Sequence, residues 1–406
     1  MLASVLSTLG KALRSVWIFV GACILAIVLA EAALEVGYGA VDAASFALHH
    51  RKPRARTPCE RVMGSLKLRW QPYTYWRGEP SHNELVTVDA DGRRRTWEPA
   101  RPDPAAPLVV VTGGSAVWGM CVRDDETIPS WLARRLADSD TPARVENHAQ
   151  IGWVTTQSLM DLMLDLRARR VPRVAVFYDG WNDIVAGLTE GEPGSPLNEA
   201  RRRTEFNLLT DLGRMRLYAL GNPMNSAMGR LAGTIRRRLL KAPRPGNVSP
   251  GWRAAFGADT SDARLDSVAR DVVRVYEWNV STVELLARRY GFRPLFYWQP
   301  DIVGKRVLSA TERASLAENP LMVRLAGRVR AAVEASPALR AEAGFRDLET
   351  MFDGDEQEIF FDWCHVSSGA NERVADVIAD DVRRALAAPR APAARTGGVA
   401  ADATRR

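Results

Sequence analysis

Four short segments of this 406-residue chain carry residues that could act together on an acyl group. Gly113-Gly114-Ser115 offers a hydroxyl nucleophile after an apolar run, and Asp362-Trp363-Cys364-His365 offers a base with a carboxylate three residues before it. A serine hydroxyl attacks a carbonyl when a base takes its proton, and a carboxylate on the far ring nitrogen holds the imidazole in the tautomer that allows this. The developing oxyanion then needs fixed donors. The segments Asn147 to Gly152 and Gly180-Trp181-Asn182-Asp183, each directly after a strand-like run, are the candidates to supply them. Each segment alone has an ordinary explanation, Gly-Gly-Ser as a tight turn and Asn182 as a helix cap. Their order and setting single them out. Of the five histidines, His49 and His50 lie near an N-terminal apolar run, His82 in a hairpin and His148 inside the second segment, which leaves His365.

The elements that must position these residues follow from periodicity. Residues 108–112 read as a fully buried strand, 127–136 as a helix, 144–147 as a strand, 155–170 as a long amphipathic helix and 173–178 as a third strand. A helix over 265–290 leads to a strand at 294–298, and a last helix runs over 368–387. Such alternation predicts right-handed crossovers and a parallel sheet covered on both faces, with ligands bound beyond the carboxyl ends of the strands.

Taken together, the segments resemble the SGNH (GDSL) hydrolase superfamily. Gly114 stands where that family often has Asp, a position outside the triad, and Gly113-Gly114-Ser115-Ala116-Val117-Trp118-Gly119 looks like a variant found in membrane-anchored bacterial members. The resemblance covers about residues 108–387. It implies an α/β fold, a three-layer α/β/α sandwich with a parallel flavodoxin-like sheet. It also implies Ser115 as nucleophile, His365 and Asp362 as its partners, and the N–H groups of Ser115 and Gly152 with the Asn182 amide as oxyanion donors. No metal or cofactor is implied. The expected activity is hydrolysis of acyl esters, acetyl esters of a cell-surface polysaccharide foremost; O-acyl transfer by the same triad and a catalytically silent polysaccharide-binding module are the alternatives.

The N-terminus bears on location. Lys11 and Arg14 precede an uncharged run over residues 16–30, which the apolar positions beyond Glu31 extend. This reads as a membrane anchor over residues 1–38 with the bulk of the chain exported, against a signal peptide cleaved near Ala30-Glu31-Ala32, which would leave a secreted form. Residues 39–107 read as a juxtamembrane segment with a hairpin turning at Asp91-Gly92, and Trp70, Tyr73, Tyr75 and Trp76 as rings packed on the main domain, with sugar stacking as the alternative. The main domain is expected over 108–388, with an insertion at about 184–262 that could cover the cleft, and 389–406 as a disordered tail.

Composition limits the remaining classes. A net charge of +7 resides largely in arginine runs at 51–56, 93–95, 201–203 and 236–238. These read as solvated surface; without an aromatic-basic repeat or zinc-ligand spacing, nucleic acid is not expected as a partner. Cys121 and Cys364 are expected close together as two independent buried thiols, with a disulfide as the alternative. Asn247-Val248-Ser249 and Asn279-Val280-Ser281 match the glycosylation pattern by chance.

Overall fold

The computed structural model describes residues 2–49, 58–210, Leu231, Ile235 and 259–389, and the chain divides into two compact units. The first comprises residues 1–55 and 202–248. Its helix α1 (Leu2–His49) holds a 28-residue stretch, Leu13–Ala40, in which an 18-residue window has mean hydropathy 2.4 and is not buried at all. At 1.5 Å per residue that stretch is about 42 Å long, more than the ~30 Å of a bilayer core. The anchor expected from sequence as a marginal span is thus one continuous helix long and apolar enough to cross a membrane. The runs at 51–56 and 236–238 and the tail at 390–406 lie outside the described residues.

The second unit, residues 56–201 and 249–406, is built on a sheet. It begins with helix α2 (Pro58–Ser65) and the short antiparallel strands β1 (Leu68–Gln71), β2 (Tyr75–Gly78), β3 (Ser81–His82) and β4 (Thr87–Val88). The core strands are β5 (Leu108–Gly113), β6 (Arg144–Asn147), β7 (Val174–Asp179), β8 (Arg293–Trp298) and β9 (Phe345–Asp347). All pair in parallel in the order β6-β5-β7-β8-β9. Numbered from β5, this is the 2-1-3-4-5 winding of a flavodoxin-like sheet, whose direction of winding reverses between β5 and β7.

The helices are α3 (Ser115–Trp118), α4 (Ile128–Ala137), α5 (Thr155–Arg167), α6 (Trp181–Thr189), α7 (Glu199–Thr210), α8 (Asp262–Tyr290), α9 (Ala310–Glu318), α10 (Pro320–Ala335), α11 (Pro337–Ala341) and α12 (Ser368–Ala387). β7 shows how they sandwich the sheet. Val174, Val176 and Tyr178 face a core made with α4 and α12, whereas Ala175 and Phe177 face another made with α5, α6, α8 and α10. Both faces are buried, so the strand reads as a continuous apolar run although its side chains still alternate.

The elements expected from sequence are present with ends shifted by at most three residues. The region between β8 and α12 adds α9, α10, α11 and β9, which the sequence reading left unassigned. Within the stretch from Ile184 expected as an insertion, α6 as far as Leu188 is packed in the core; residues 211–230, 232–234 and 236–258 lie outside the described residues. Asn279 is fully buried and donates to Thr156 Oγ1 at 3.1 Å, so it is closed to a glycan, and Asn247 is outside the described residues.

A buried ion pair holds the last part of this unit together. Lys305 and Glu312, both with 0% side-chain exposure, meet at 2.7 Å. Lys305 also donates to the Gln357 carbonyl at 2.6 Å, and Glu312 Oε1 accepts from the N–H groups of Ile359 and Phe360 at 3.0 and 3.1 Å. Removing one partner of such a pair leaves a buried charge uncompensated, so Lys305→Met is expected to lower stability by about 3–5 kcal/mol. A urea midpoint barely changed from wild type would mean that the backbone donors alone sustain Glu312.

Candidate active site

The site lies at the carboxyl ends of β5 and β7, at the switch point. Gly113 ends β5 with φ +152°, and a Cβ there would lie 2.2 Å from the Tyr178 carbonyl oxygen, so only glycine lets the chain leave the sheet this close to β7. Ser115 follows as the first residue of α3 and is nearly buried. Asn147, at the end of β6, donates to the Val117 carbonyl at 3.2 Å and accepts from the Ala149 N–H at 3.1 Å, joining the second segment to the serine turn.

The sequence-predicted base comes to this point from 250 residues away. His365 Nε2 lies 2.7 Å from Ser115 Oγ, and His365 Nδ1 lies 2.6 Å from Asp362 Oδ2. Asp362 Oδ1 accepts the N–H groups of Cys364 and His365, each at 3.0 Å, so one carboxylate orders both ring and loop. Burial alone would raise the Asp362 pKa; the hydrogen bond and charge of His365 and the two backbone donors outweigh it and hold the group below its ordinary value. Asp362 therefore remains ionised at neutral pH, and the stability it lends is lost only as pH falls through that lowered value.

Asp362, Cys364 and His365 present ligand atoms within 4.8 Å of one another. Both ring nitrogens of His365 are already engaged, and burial, aided by Asp362 and Asp301, pushes the Cys364 thiol up and away from the thiolate form. The cluster is arranged as a hydrogen-bonded chain in which Asp362 orients the His365 ring and the far ring nitrogen can take the Ser115 proton.

The three expected donors border the serine turn. Asn182 Nδ2 donates to the Trp153 carbonyl at 2.8 Å, and a Cβ built on Gly114 would come within 2.3 Å of the same nitrogen. With glycine at 114 the Asn182 amide keeps this position; a Cβ there would make it shift. Gly152, in the left-handed region at φ +74°, precedes Trp153, and its N–H has no acceptor among the described residues. Asp183 accepts from the Thr155 hydroxyl at 2.9 Å and the Thr155 N–H at 3.2 Å, tying the start of α5 to this segment; burial raises its pKa to about 6. The rings of Trp181 and Trp363 stack at 5.5 Å and link the third segment to the last.

Several contributors were not apparent from sequence. Trp76 Nε1 donates to the Ile151 carbonyl at 2.7 Å, Trp153 Nε1 donates to the Trp76 carbonyl at 3.2 Å, and the Trp76 ring flanks Gly152. The hairpin β1–β2 thus forms a wall of the site, and the aromatic cluster divides: Trp76 is buried, Trp70 and Tyr73 are exposed. Arg94, expected on a solvated surface, is 1% exposed. Its guanidinium donates to the carbonyls of Trp118, Gly119, Val122 and Leu85 and pairs with Asp124 at 2.8 Å, cradling the chain beyond α3. The cysteine expectation is corrected as well. Cys121 is joined to Cys59 in a disulfide, because α2 packs near the turn after α3, and Cys364 is left as a buried free thiol.

No protein-family model and no curated protein matches the chain. Solved structures with a similar fold include the acetyl xylan esterase AlAXEase, 11% identical over 68% of this chain and 99% of that one, with a TM-score of 0.35. TesA is 14% identical over 68% and 99% at 0.33, and a putative SGNH hydrolase from Slackia heliotrinireducens is 14% identical over the same shares at 0.29. At these scores the likeness carries no functional weight, and the geometry of the site stands by itself.

The contact between Gly114 and Asn182 yields a test. Gly114→Ala should push the Asn182 amide off its position and, like Asn182→Ala, reduce kcat for ester hydrolysis about a hundredfold or more, the loss typical of one oxyanion donor. A helix cap would behave otherwise, lowering stability by about 0.5–2 kcal/mol without touching the chemistry. Unchanged kcat with a lowered urea midpoint in Asn182→Ala would remove Asn182 from the site.

Proposed function

We propose that this chain is a serine esterase of the SGNH type, exported and held to the membrane by α1, that hydrolyses short acyl esters of a carbohydrate. The carrying observation is the hydrogen-bonded series Asp362–His365–Ser115, with contacts of 2.6 and 2.7 Å, at the switch point of the parallel sheet. Ser115 Oγ attacks the ester carbonyl carbon while His365 Nε2 takes its proton. The Ser115 and Gly152 N–H groups and the Asn182 amide stabilise the oxyanion. Collapse expels the alcohol, protonated by His365; water then attacks the acyl-serine as His365 takes its proton, and the second collapse breaks the bond to Ser115 Oγ, which receives that proton back from His365 as the acid leaves.

Two further readings have support on the molecule. Trp76 and Leu197 lie where a Cβ on Gly152 would meet them at 3.6 and 3.5 Å, so bulky groups wall the space beside that donor, which favours a short acyl group such as acetyl. The Cys59–Cys121 disulfide suits an oxidising compartment, and Lys11 and Arg14 before the apolar span favour a cytoplasmic N-terminus with the second unit outside.

The full chain, purified in detergent, is expected to cleave 4-nitrophenyl acetate and to be labelled by a fluorophosphonate at Ser115. Ser115→Ala should abolish both. Retention of wild-type kcat/KM by a folded Ser115→Ala or His365→Ala variant would refute the assignment. For the anchor, the native protein should stay with membranes through carbonate extraction; a soluble mature form beginning near Ala33 would replace the anchor by a cleaved signal.

A further inference from the structure

The hairpin that walls the site has a second face. Strands β1 and β2 pair with Trp70 opposite Trp76 and Arg69 opposite Arg77, so alternation turns the tryptophans to one side and the arginines to the other. On the arginine side is a cavity of about 440 Å³ lined by Arg69, Arg77, Arg93, Arg167, Arg170 and Tyr73, together with Asp91 and Asp165. Three arginines are matched: Arg77 with Asp161, Arg93 with Asp165 at 3.3 Å and Arg170 with Glu146 at 2.5 Å. Arg69 and Arg167 have no carboxylate partner among the described residues; Arg69 donates to the Ala90 carbonyl at 2.6 Å, and Arg167 lies 5.9 Å from the centre of the Tyr73 ring.

Two like charges directly opposite on a strand pair repel, and Arg69 and Arg77 occupy such a pair nonetheless. The Nε–H groups of Arg69, Arg93 and Arg170 are buried without an acceptor, so donors around this cavity outnumber the acceptors the protein supplies. At its edge, at the hairpin tip, Tyr73 sits in the left-handed region at φ +68° and is 65% exposed. A bulky residue kept in that conformation with its ring in water points to a use for the ring.

We propose that this cavity binds the carboxylate-bearing sugars of an acidic polysaccharide. The unmatched guanidiniums take the carboxylates, which a planar fork of N–H donors fits bidentately, and Tyr73 stacks on a sugar ring. The same hairpin reaches Gly152 through Trp76, so a polymer held on its outer face is attached to the element that walls the ester site. Only the polymer's role as substrate rests on the esterase reading; the binding itself does not.

The test uses the full-length Ser115→Ala variant in detergent, titrated by calorimetry with oligogalacturonate, with neutral xylo-oligosaccharide and with glycerol phosphate. Oligogalacturonate should bind, and more tightly than either of the other two. Arg69→Ala and Arg167→Ala, with folding checked by circular dichroism, should each weaken it about tenfold or more, the usual loss of a hydrogen bond to a charged group. Equal binding of the neutral oligosaccharide, or no effect of both substitutions, would overturn the proposal. Tighter binding of glycerol phosphate would assign the cavity to a lipid headgroup instead. Hydrolysis of 4-nitrophenyl acetate by the unsubstituted chain is measured alongside, so failure of binding and failure of the esterase reading are separate results.

Discussion

The hydrogen bond between His365 and Ser115 joins positions 250 residues apart, and much of the second unit is organised so that it can form. The serine is held by β5 and its turn. The histidine is on an irregular stretch between β9 and α12, which needs support from outside itself. That support is mainly polar: Lys305 and Glu312 anchor Gln357, Ile359 and Phe360, the Ile302 N–H donates to the Trp363 carbonyl at 2.9 Å, and a bridge between Phe360 and Val366 closes the loop. Fully buried charges are tolerated there because every acceptor and donor of the pair is used.

Space is the second constraint. Gly113 and Gly114 are adjacent, and each is needed for a different neighbour, the Tyr178 carbonyl for one and the Asn182 amide for the other. A side chain at either would separate β5 from β7 or displace a donor. Gly114 thus leaves room for the amide where Asn182 sits.

The segment before β5 is part of the site. Its tryptophan borders Gly152, its Arg94 fills the hollow behind α3, and the Cys59–Cys121 disulfide fastens α2 to the turn beyond Gly119. Arginine suits this role because one planar group can satisfy several carbonyls of a tight turn at once. The hairpin consequently has two different faces, aromatic toward Ile151 and Gly152 through Trp76, cationic toward the neighbouring cavity.

By itself the sequence determined four of the five core strands, the helices α4, α5, α8 and α12, and the candidates Ser115, Gly152, Asn182, Asp362 and His365. Hydrophobic runs and their periods report burial locally, and the chemistry of these residue types is constrained by short spacings such as Asp-x-x-His. It also carried a signal that went unread: Ser309 and Glu312 have the spacing of a capping box, and Lys305 is one of only five lysines in an arginine-dominated chain. What tertiary structure alone decided was which side chains meet across long separations. Nothing near Arg94 distinguishes it from Arg93 and Arg95, yet one is buried and the last exposed. Nothing near Cys121 selects Cys59 over Cys364. Such pairings depend on where the sheet's winding sends each loop, a property of the whole chain that no window of neighbouring residues contains.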